Sequence, residues 1–99
     1  MTVYIVGQIK IRDRAEYDLY QSKFMDVFSK FNGTLLSADF DPESLVGDWD
    51  KDRIVLMSFP SRDEAMAWAQ SDDYAEIVPH RIAGADATVL LAKGFDEAE

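Results

Sequence analysis

Three segments of this chain are apolar on both sides of any β-strand that they form. In the first, Val3 and Ile5 alternate with Tyr4 and Val6, which are themselves largely apolar. The other two are Arg53–Phe59 (RIVLMSF) and residues 86–93 (DATVLLAK). A strand with one solvated face would alternate between apolar and polar residues. The chain therefore predicts a sheet that must be covered on both faces.

A helix is predicted between the first two strands. Asp13 is suited to cap its N-terminus, and Glu16, three positions on, completes a capping-box pattern. The apolar residues that follow recur at spacings of three and four and form one wide stripe: Tyr17, Tyr20, Phe24, Val27, Phe28 and Phe31. Asn32 and Gly33, which accept the left-handed conformation, are predicted to end the helix. A second strand is expected over residues 34–40.

Two turns are predicted between the second and third strands. Residues 41–44 (DPES) contain Pro and Asp, and residues 47–50 (GDWD) begin with Gly, all of which favour turns. Leu45 and Val46, between the turns, are expected to pair briefly with a neighbouring strand.

A second helical region follows the third strand. Ser61 and Glu64 form a capping box in its strict spacing. Residues 71–73 (SDD) indicate a break with a new cap, followed by a short helix that carries Tyr74, Ile77 and Val78. Pro79 leaves the end of that helix open, because proline fits a first turn but disturbs a helix interior.

The predicted element order is β-α-β-β-α-β, which is typical of the α+β ferredoxin-like fold with an antiparallel sheet. The helices suffice to cover one face of a four-stranded sheet. An uncovered apolar face would exceed the patches usual on a monomer. A homodimer packed sheet to sheet is therefore predicted. Residues 1–99 are predicted to form a single domain, with about residues 95–99 as a frayed acidic tail.

Composition narrows the function classes. The net charge is −9, and the basic residues are interleaved with acids, so neither nucleic acid nor an anionic membrane is an expected partner. The absence of cysteine excludes thiolate metal sites and cysteine nucleophiles. No Gly-rich phosphate loop, GxSxG elbow or HExxH pattern is present, so no cofactor and no metal is predicted. No secretory signal and no apolar run of about 20 residues is found, and a cytoplasmic protein is expected.

The chain resembles the domain-of-unknown-function family DUF1330 from about residue 3 to residue 94. The motifs that carry the resemblance are GDW at residues 47–49, RIVLMSFPS at residues 53–61 and SDDYAEIVPHR at residues 71–81, together with Asp13 and Tyr17. The resemblance implies a dimeric α/β barrel. That superfamily includes antibiotic-biosynthesis monooxygenases, muconolactone isomerases and haem-handling enzymes, which use the cavity between sheet and helices. Family members often carry His where this chain has Gln8, and Gln cannot transfer a proton.

Arg81 and Arg53 are the first candidates for binding a ligand. A guanidinium group can hold a carboxylate through two parallel hydrogen bonds. In so acidic a chain the same two residues could instead pair with a carboxylate such as Asp39, Asp48 or Asp86.

Trp49 and His80 each allow two interpretations. Trp49, in the predicted turn, could form an aromatic wall for a flat ligand or cover the edge of the core. His80, the one histidine, could act as a general base or lie at the end of a helix on the surface.

Tyr4, Gln8 and Ser58 are predicted to point toward the face of the sheet that the helices leave uncovered. There they could form a small polar patch inside a dimer cavity, or be ordinary polar groups of the interface.

Two functions of different classes remain open. One is a non-catalytic dimer that binds a small carboxylated or aromatic metabolite in a cavity between sheet and helices. The other is a cofactor-independent isomerase or monooxygenase-like enzyme. Gln8 in place of His favours the first.

Overall fold

Four strands and three helices follow one another in the predicted order. The computed structural model describes residues 1–95. The strands are β1 (Val3–Ile11), β2 (Thr34–Asp39), β3 (Arg53–Phe59) and β4 (Ala85–Lys93), and the helices are α1 (Arg14–Phe28), α2 (Arg62–Ala69) and α3 (Asp72–Gly84). Most of the predicted acidic tail, residues 96–99, lies outside the described residues. Within the described residues, no helix is long and apolar enough to cross a membrane.

The strands form one antiparallel sheet in the order β2-β3-β1-β4. Strand β1 is therefore central, with β3 on one side and β4 on the other. Val3, Ile5 and Ile9 are buried beneath the helices, while Tyr4 on the opposite face is 38% exposed. This confirms the predicted ferredoxin-like α+β fold with its helices on one face of the sheet.

Each helix begins at a side-chain cap, as the sequence predicts. Asp13 Oδ1 accepts hydrogen bonds from the backbone N–H groups of Ala15 (3.1 Å) and Glu16 (3.3 Å) at the start of α1. Ser61 Oγ accepts from Glu64 N at 3.2 Å, and Ser71 Oγ accepts from Tyr74 N at 3.1 Å. The break at Ser71 therefore separates two helices, and α3 continues through Pro79 to Gly84.

Helix α1 ends at Phe28, earlier than the Asn32-Gly33 pair predicted. Lys30 N donates to Val27 O (3.1 Å) and Phe31 N donates to Phe28 O (3.1 Å), so the chain leaves the helix through tighter turns. Gly33 does not adopt a left-handed conformation. A Cβ atom there would lie 2.6 Å from Phe28 Cζ, so this glycine makes room for a core ring.

The connection between β2 and β3 contains no further strand, so the predicted pairing of Leu45 and Val46 is wrong. Their side chains are 87% and 95% exposed, and they lie just before Gly47, which has a φ of +84°. Strand β2 ends at Asp39, one residue before its predicted end at Phe40.

Aromatic rings fill the core between the helices and the sheet. The rings of Phe59 and Trp68 stack with their centroids 5.7 Å apart, and Phe28 meets each of them edge-on at 5.8 Å. These contacts join α1, β3 and α2 into one core.

Candidate functional site

A cavity of about 130 Å³ lies between the helices and the inner face of the sheet. A cross-strand row forms part of its floor, because Gly7 of β1 is paired with Val55 of β3 and Val89 of β4, and all three line the cavity. Val89 and Met25 line the cavity and are each about half exposed, so it reaches the protein surface.

Aromatic residues of all three helices line the cavity above this floor. Tyr17, Tyr20 and Phe24 come from α1, Trp68 from α2 and Tyr74 from α3. The ring centroids of Trp68 and Tyr74 are 4.5 Å apart, and those of Tyr17 and Tyr20 are 5.7 Å apart. The cavity therefore offers flat apolar surfaces that suit a planar ligand.

The tyrosine hydroxyls give this wall its polar groups. The hydroxyls of Tyr20 and Tyr74 are hydrogen-bonded at 2.8 Å in a buried position. Burial, together with Tyr74, raises the pKa of Tyr20 well above its usual value. Burial also raises the pKa of Tyr17, although nearby Arg53 opposes the shift. Tyrosine is protonated at neutral pH at its usual pKa, and these shifts favour the protonated form further, so Tyr17 and Tyr20 can donate hydrogen bonds.

Arg53 is held at the edge of the cavity by α1. Its Nη1 donates to Tyr17 Oη at 2.9 Å and to Gln21 Oε1 at 2.7 Å. The guanidinium lies over the Phe40 ring, 4.5 Å from its centroid, and Arg14 lies 4.7 Å from the same centroid. These contacts fix the orientation of Arg53.

Three buried donors on the cavity lining have no hydrogen-bond partner within residues 1–95: Arg53 Nε, Arg81 Nε and Trp68 Nε1. Arg81 comes from the last turn of α3. A buried donor without a partner is costly, and a ligand that supplies acceptor atoms would remove that cost.

The charge of the cavity is opposite to that of the protein. The chain has a net charge of −9, but the described residues that line the cavity include two arginines and no Asp, Glu or His. Partly buried cations without a facing carboxylate favour an anionic ligand. No group of three or more His, Asp or Glu suited to a metal ion occurs in the described part of the chain.

The six predicted site residues fall in three places. Arg81 and Arg53 both line the cavity. Trp49 lies in the β2–β3 connection, half-buried and outside the cavity lining. Tyr4, Gln8 and Ser58 lie on the opposite face of the sheet, where Tyr4 is paired with Ser58 across β1 and β3.

Two of the three carboxylates named as alternative partners of the arginines, Asp86 and Asp39, form other contacts. Asp86 forms an ion pair with Arg12 at 2.9 Å. Asp39 Oδ1 accepts a hydrogen bond from Asp41 N at 2.8 Å. His80 Nδ1 lies 3.0 Å from Glu16 Oε2, which places His80 in a contact between α3 and α1 and outside the cavity lining.

Several residues that line the cavity were not predicted as site residues. Tyr20, Phe24 and Trp68 do pack in the core, yet each also lines the cavity. The available signal was chemical, since Tyr17 and Tyr20 carry hydroxyls on a stripe that phenylalanine could fill. Gly7, in the middle of an apolar strand, was a second signal.

The opposite face of the sheet carries apolar side chains that no helix covers. Tyr4 and Leu90 are 38% and 54% exposed, and Val6 and Leu56 on the same face are half-buried. Because Val6 is paired with Leu56 on one side and Leu90 on the other, the three form a continuous apolar row.

The family model described as Domain of unknown function (DUF1330) matches residues 2–95. No curated protein matches the chain significantly in sequence. Among solved structures, a protein of unknown function from Rhodopseudomonas palustris superposes with a TM-score of 0.80 at 18% identity, covering 96% of this chain and 83% of that chain.

Two further structures have the same fold. SnoaB, a cofactor-independent oxygenase from Streptomyces nogalater, gives a TM-score of 0.72 at 12% identity, covering 96% of this chain and 94% of that chain. A dabb family protein with a ferredoxin-like fold from Mesorhizobium loti gives 0.69 at 9% identity, covering 96% and 98%. At these identities the similarity establishes the fold alone.

Proposed function

The chain belongs to the DUF1330 family, and from the charge and shape of its cavity we propose that it binds a small aromatic carboxylate between the helices and the sheet. One observation carries this proposal. In a protein with a net charge of −9, the described lining of the cavity holds two arginines, no carboxylate and three buried donors without a partner.

Arg81 is the residue expected to bind the carboxylate. Arg53 already donates from Nη1 to Tyr17 and Gln21, which occupies part of its fork. The Arg81 side chain forms none of the side-chain hydrogen bonds or ion pairs within residues 1–95, and its buried Nε, like that of Arg53, has no partner. A hydrogen bond to a charged group contributes about 1.5–3 kcal/mol. Arg53 is expected to add attraction at longer range.

The aromatic wall and the size of the cavity indicate a single ring. Tyr17, Tyr20, Phe24, Trp68 and Tyr74 offer ring faces and edges to a planar ligand. A dry cavity of about 150 Å³ is known to accept benzene. The cavity of about 130 Å³ is comparable in size and reaches the surface, so a benzene ring with one carboxylate would fit.

Benzoate is expected to raise the melting temperature of the wild-type protein and to bind Arg81→Gln about 10- to 100-fold more weakly, as the loss of a charged hydrogen bond predicts. Thermal shift and isothermal calorimetry measure the two effects. Benzamide and acetate, which lack the charge and the ring respectively, should stabilise the protein less.

Arg62→Gln is the matched control. Arg62 is exposed on α2, so this substitution removes the same charge at a position outside the cavity. Equal benzoate affinity in wild type and Arg81→Gln would remove Arg81 from the site. If no aromatic carboxylate stabilises the wild type, the proposed function is wrong.

We also propose that two copies of the chain associate through the uncovered faces of their sheets. The apolar row of Val6, Leu56 and Leu90, with Tyr4 beside it, supports this association. Apolar side chains on a sheet face that no helix covers are a common feature of interfaces between subunits.

Sedimentation equilibrium at micromolar concentration is expected to give twice the 11.2 kDa mass of one chain. Leu90→Asp should shift the protein toward the monomer, because it places a charge in the apolar row. Leu45→Asp is the control, since Leu45 is 87% exposed and lies off the sheet. A wild-type protein that sediments as a monomer would contradict the association.

A cofactor-independent oxygenase or isomerase acting on the same class of ligand is the second candidate function. Protonated phenols at Tyr17 and Tyr20 support it, because they can donate hydrogen bonds to an enolate or phenolate oxygen. One of the structural neighbours is a cofactor-independent oxygenase. Dioxygen uptake in the presence of a ligand that binds would separate an oxygenase from a non-catalytic binding protein.

A further inference from the structure

Gly7 lies at the centre of the middle strand, where the fold gives no reason for a glycine. Glycine destabilises a strand interior relative to alanine, because it loses more chain entropy and packs no side chain. In strands it marks a bulge, a tight bend, or a place where another backbone or a ligand approaches closely.

A bulge or a special backbone conformation does not account for Gly7. The pairing of β1 with β3 and with β4 runs without a shift through Gly7, and the one register shift among the described strands lies in β2. Gly47 is the only described glycine with a positive φ. Gly7 therefore has a backbone that alanine can also adopt.

Crowding does not account for Gly7 either. A Cβ atom on Gly7 would lie 3.7 Å from Val55 Cβ, an ordinary van der Waals distance. At Gly33, Gly84 and Gly94 the corresponding distances are 2.6, 2.5 and 2.8 Å, so those three glycines are required by their neighbours. No protein atom lies close enough to Gly7 to exclude a Cβ atom there.

That space belongs to the cavity, whose floor includes Gly7 between Val55 and Val89. We propose that Gly7 is a specificity-determining residue, which leaves a recess between Val55 and Val89 in the floor of the cavity so that the ring of an aromatic carboxylate rests on the β1 backbone. This inference rests on the proposed function and adds to it the position of the ring. A methyl group at residue 7 would stand where the ring lies.

Gly7→Ala is expected to keep the fold and to have a melting temperature equal to or above that of the wild type. Its affinity for benzoate should fall at least about tenfold, the size of effect that one methyl group has in a fitted pocket. The affinity for hexanoate, a flexible carboxylate that can bend around the added methyl group, should fall less than the affinity for benzoate. Gly7→Val should abolish detectable benzoate binding.

Calorimetric titration with benzoate and hexanoate, together with thermal unfolding of each variant, makes the test. Ala38→Val is the matched control, because Ala38 is paired with Val55 in the same cross-strand row but lies outside the cavity lining. It should leave the ratio of benzoate to hexanoate affinity unchanged.

The outcomes separate this inference from the function on which it rests. If the wild type binds benzoate and Gly7→Ala binds it equally well, Gly7 does not select the ligand and the proposed function stands. A Gly7→Ala protein that melts well below the wild type would overturn the inference, because the glycine would then serve the fold. If the wild type binds no aromatic carboxylate, both fail.

Discussion

Replacing Phe59 by alanine is expected to lower the free energy of unfolding by about 3–5 kcal/mol. Phe59 is 1% exposed and ends β3 under the helices. Its ring stacks on Trp68 at 5.7 Å and meets Phe28 edge-on at 5.8 Å. Truncation would leave a cavity among rings that have little room to move into it, so the packing between β3, α1 and α2 would be lost.

Urea unfolding followed by tryptophan fluorescence measures this effect. Domains of this kind have a total stability of about 5–15 kcal/mol, so the expected loss is a large fraction of it and should shift the urea midpoint clearly. Phe95→Ala is the matched control, because Phe95 is fully exposed and its removal should change stability by no more than about 0.5 kcal/mol. A similar small change in both variants would contradict the role assigned to Phe59.

Gly84→Ala is expected to lower the free energy of unfolding by about 1–3 kcal/mol or more, because the added methyl group would clash with backbone atoms. A Cβ atom on Gly84 would lie 2.5 Å from Tyr17 N, 2.9 Å from Tyr17 Cα and 3.0 Å from Asp13 O. Backbone atoms cannot rotate away as a side chain can. Gly84 O also accepts hydrogen bonds from Arg12 N (2.8 Å) and Asp13 N (3.0 Å), so the two segments cannot separate without losing them.

Thermal and urea unfolding of Gly84→Ala and Gly7→Ala compare the same substitution in two surroundings. The first should be destabilised and the second should not, since its Cβ atom meets nothing nearer than 3.7 Å. Because Gly84 holds the end of α3 against the start of α1, benzoate affinity should also fall in Gly84→Ala, as Arg81 and Tyr17 move apart. Equal melting temperatures for Gly84→Ala and the wild type would show that the helices adjust freely.

The parts of the fold that depend on local chemistry could be predicted from the sequence. Strand β3 has its predicted bounds, and Asp13, Ser61 and Ser71 cap the three helices as their types and spacing indicate. The end of α1 could not be predicted in this way. Gly33 is required there because the Phe28 ring occupies the space that a Cβ atom would need. Local sequence patterns do not reveal a contact of this kind.

Of the candidate site, only the two positively charged residues could be predicted from the sequence. Arg53 and Arg81 were predicted as ligand-binding residues because a guanidinium can hold a carboxylate, and both line the cavity. That Trp49 lies away from them depends on the path of a long connection, which sequence patterns do not fix. The role proposed for Gly7 depends on empty space above a strand, which becomes visible only once the helices are placed.

The alternation of side chains along β1 separates two tasks within one strand. Residues 5, 7 and 9 line the cavity, whereas residues 4, 6 and 8 lie on the face proposed for association. Substitutions could therefore retune the ligand while the subunit contact stays as it is, or the reverse, and evolution could explore each independently. Insertion of a single residue in the middle of β1 would exchange the two sets for all residues on one side of it and damage both faces, so the interior of β1 can vary in composition but not in length.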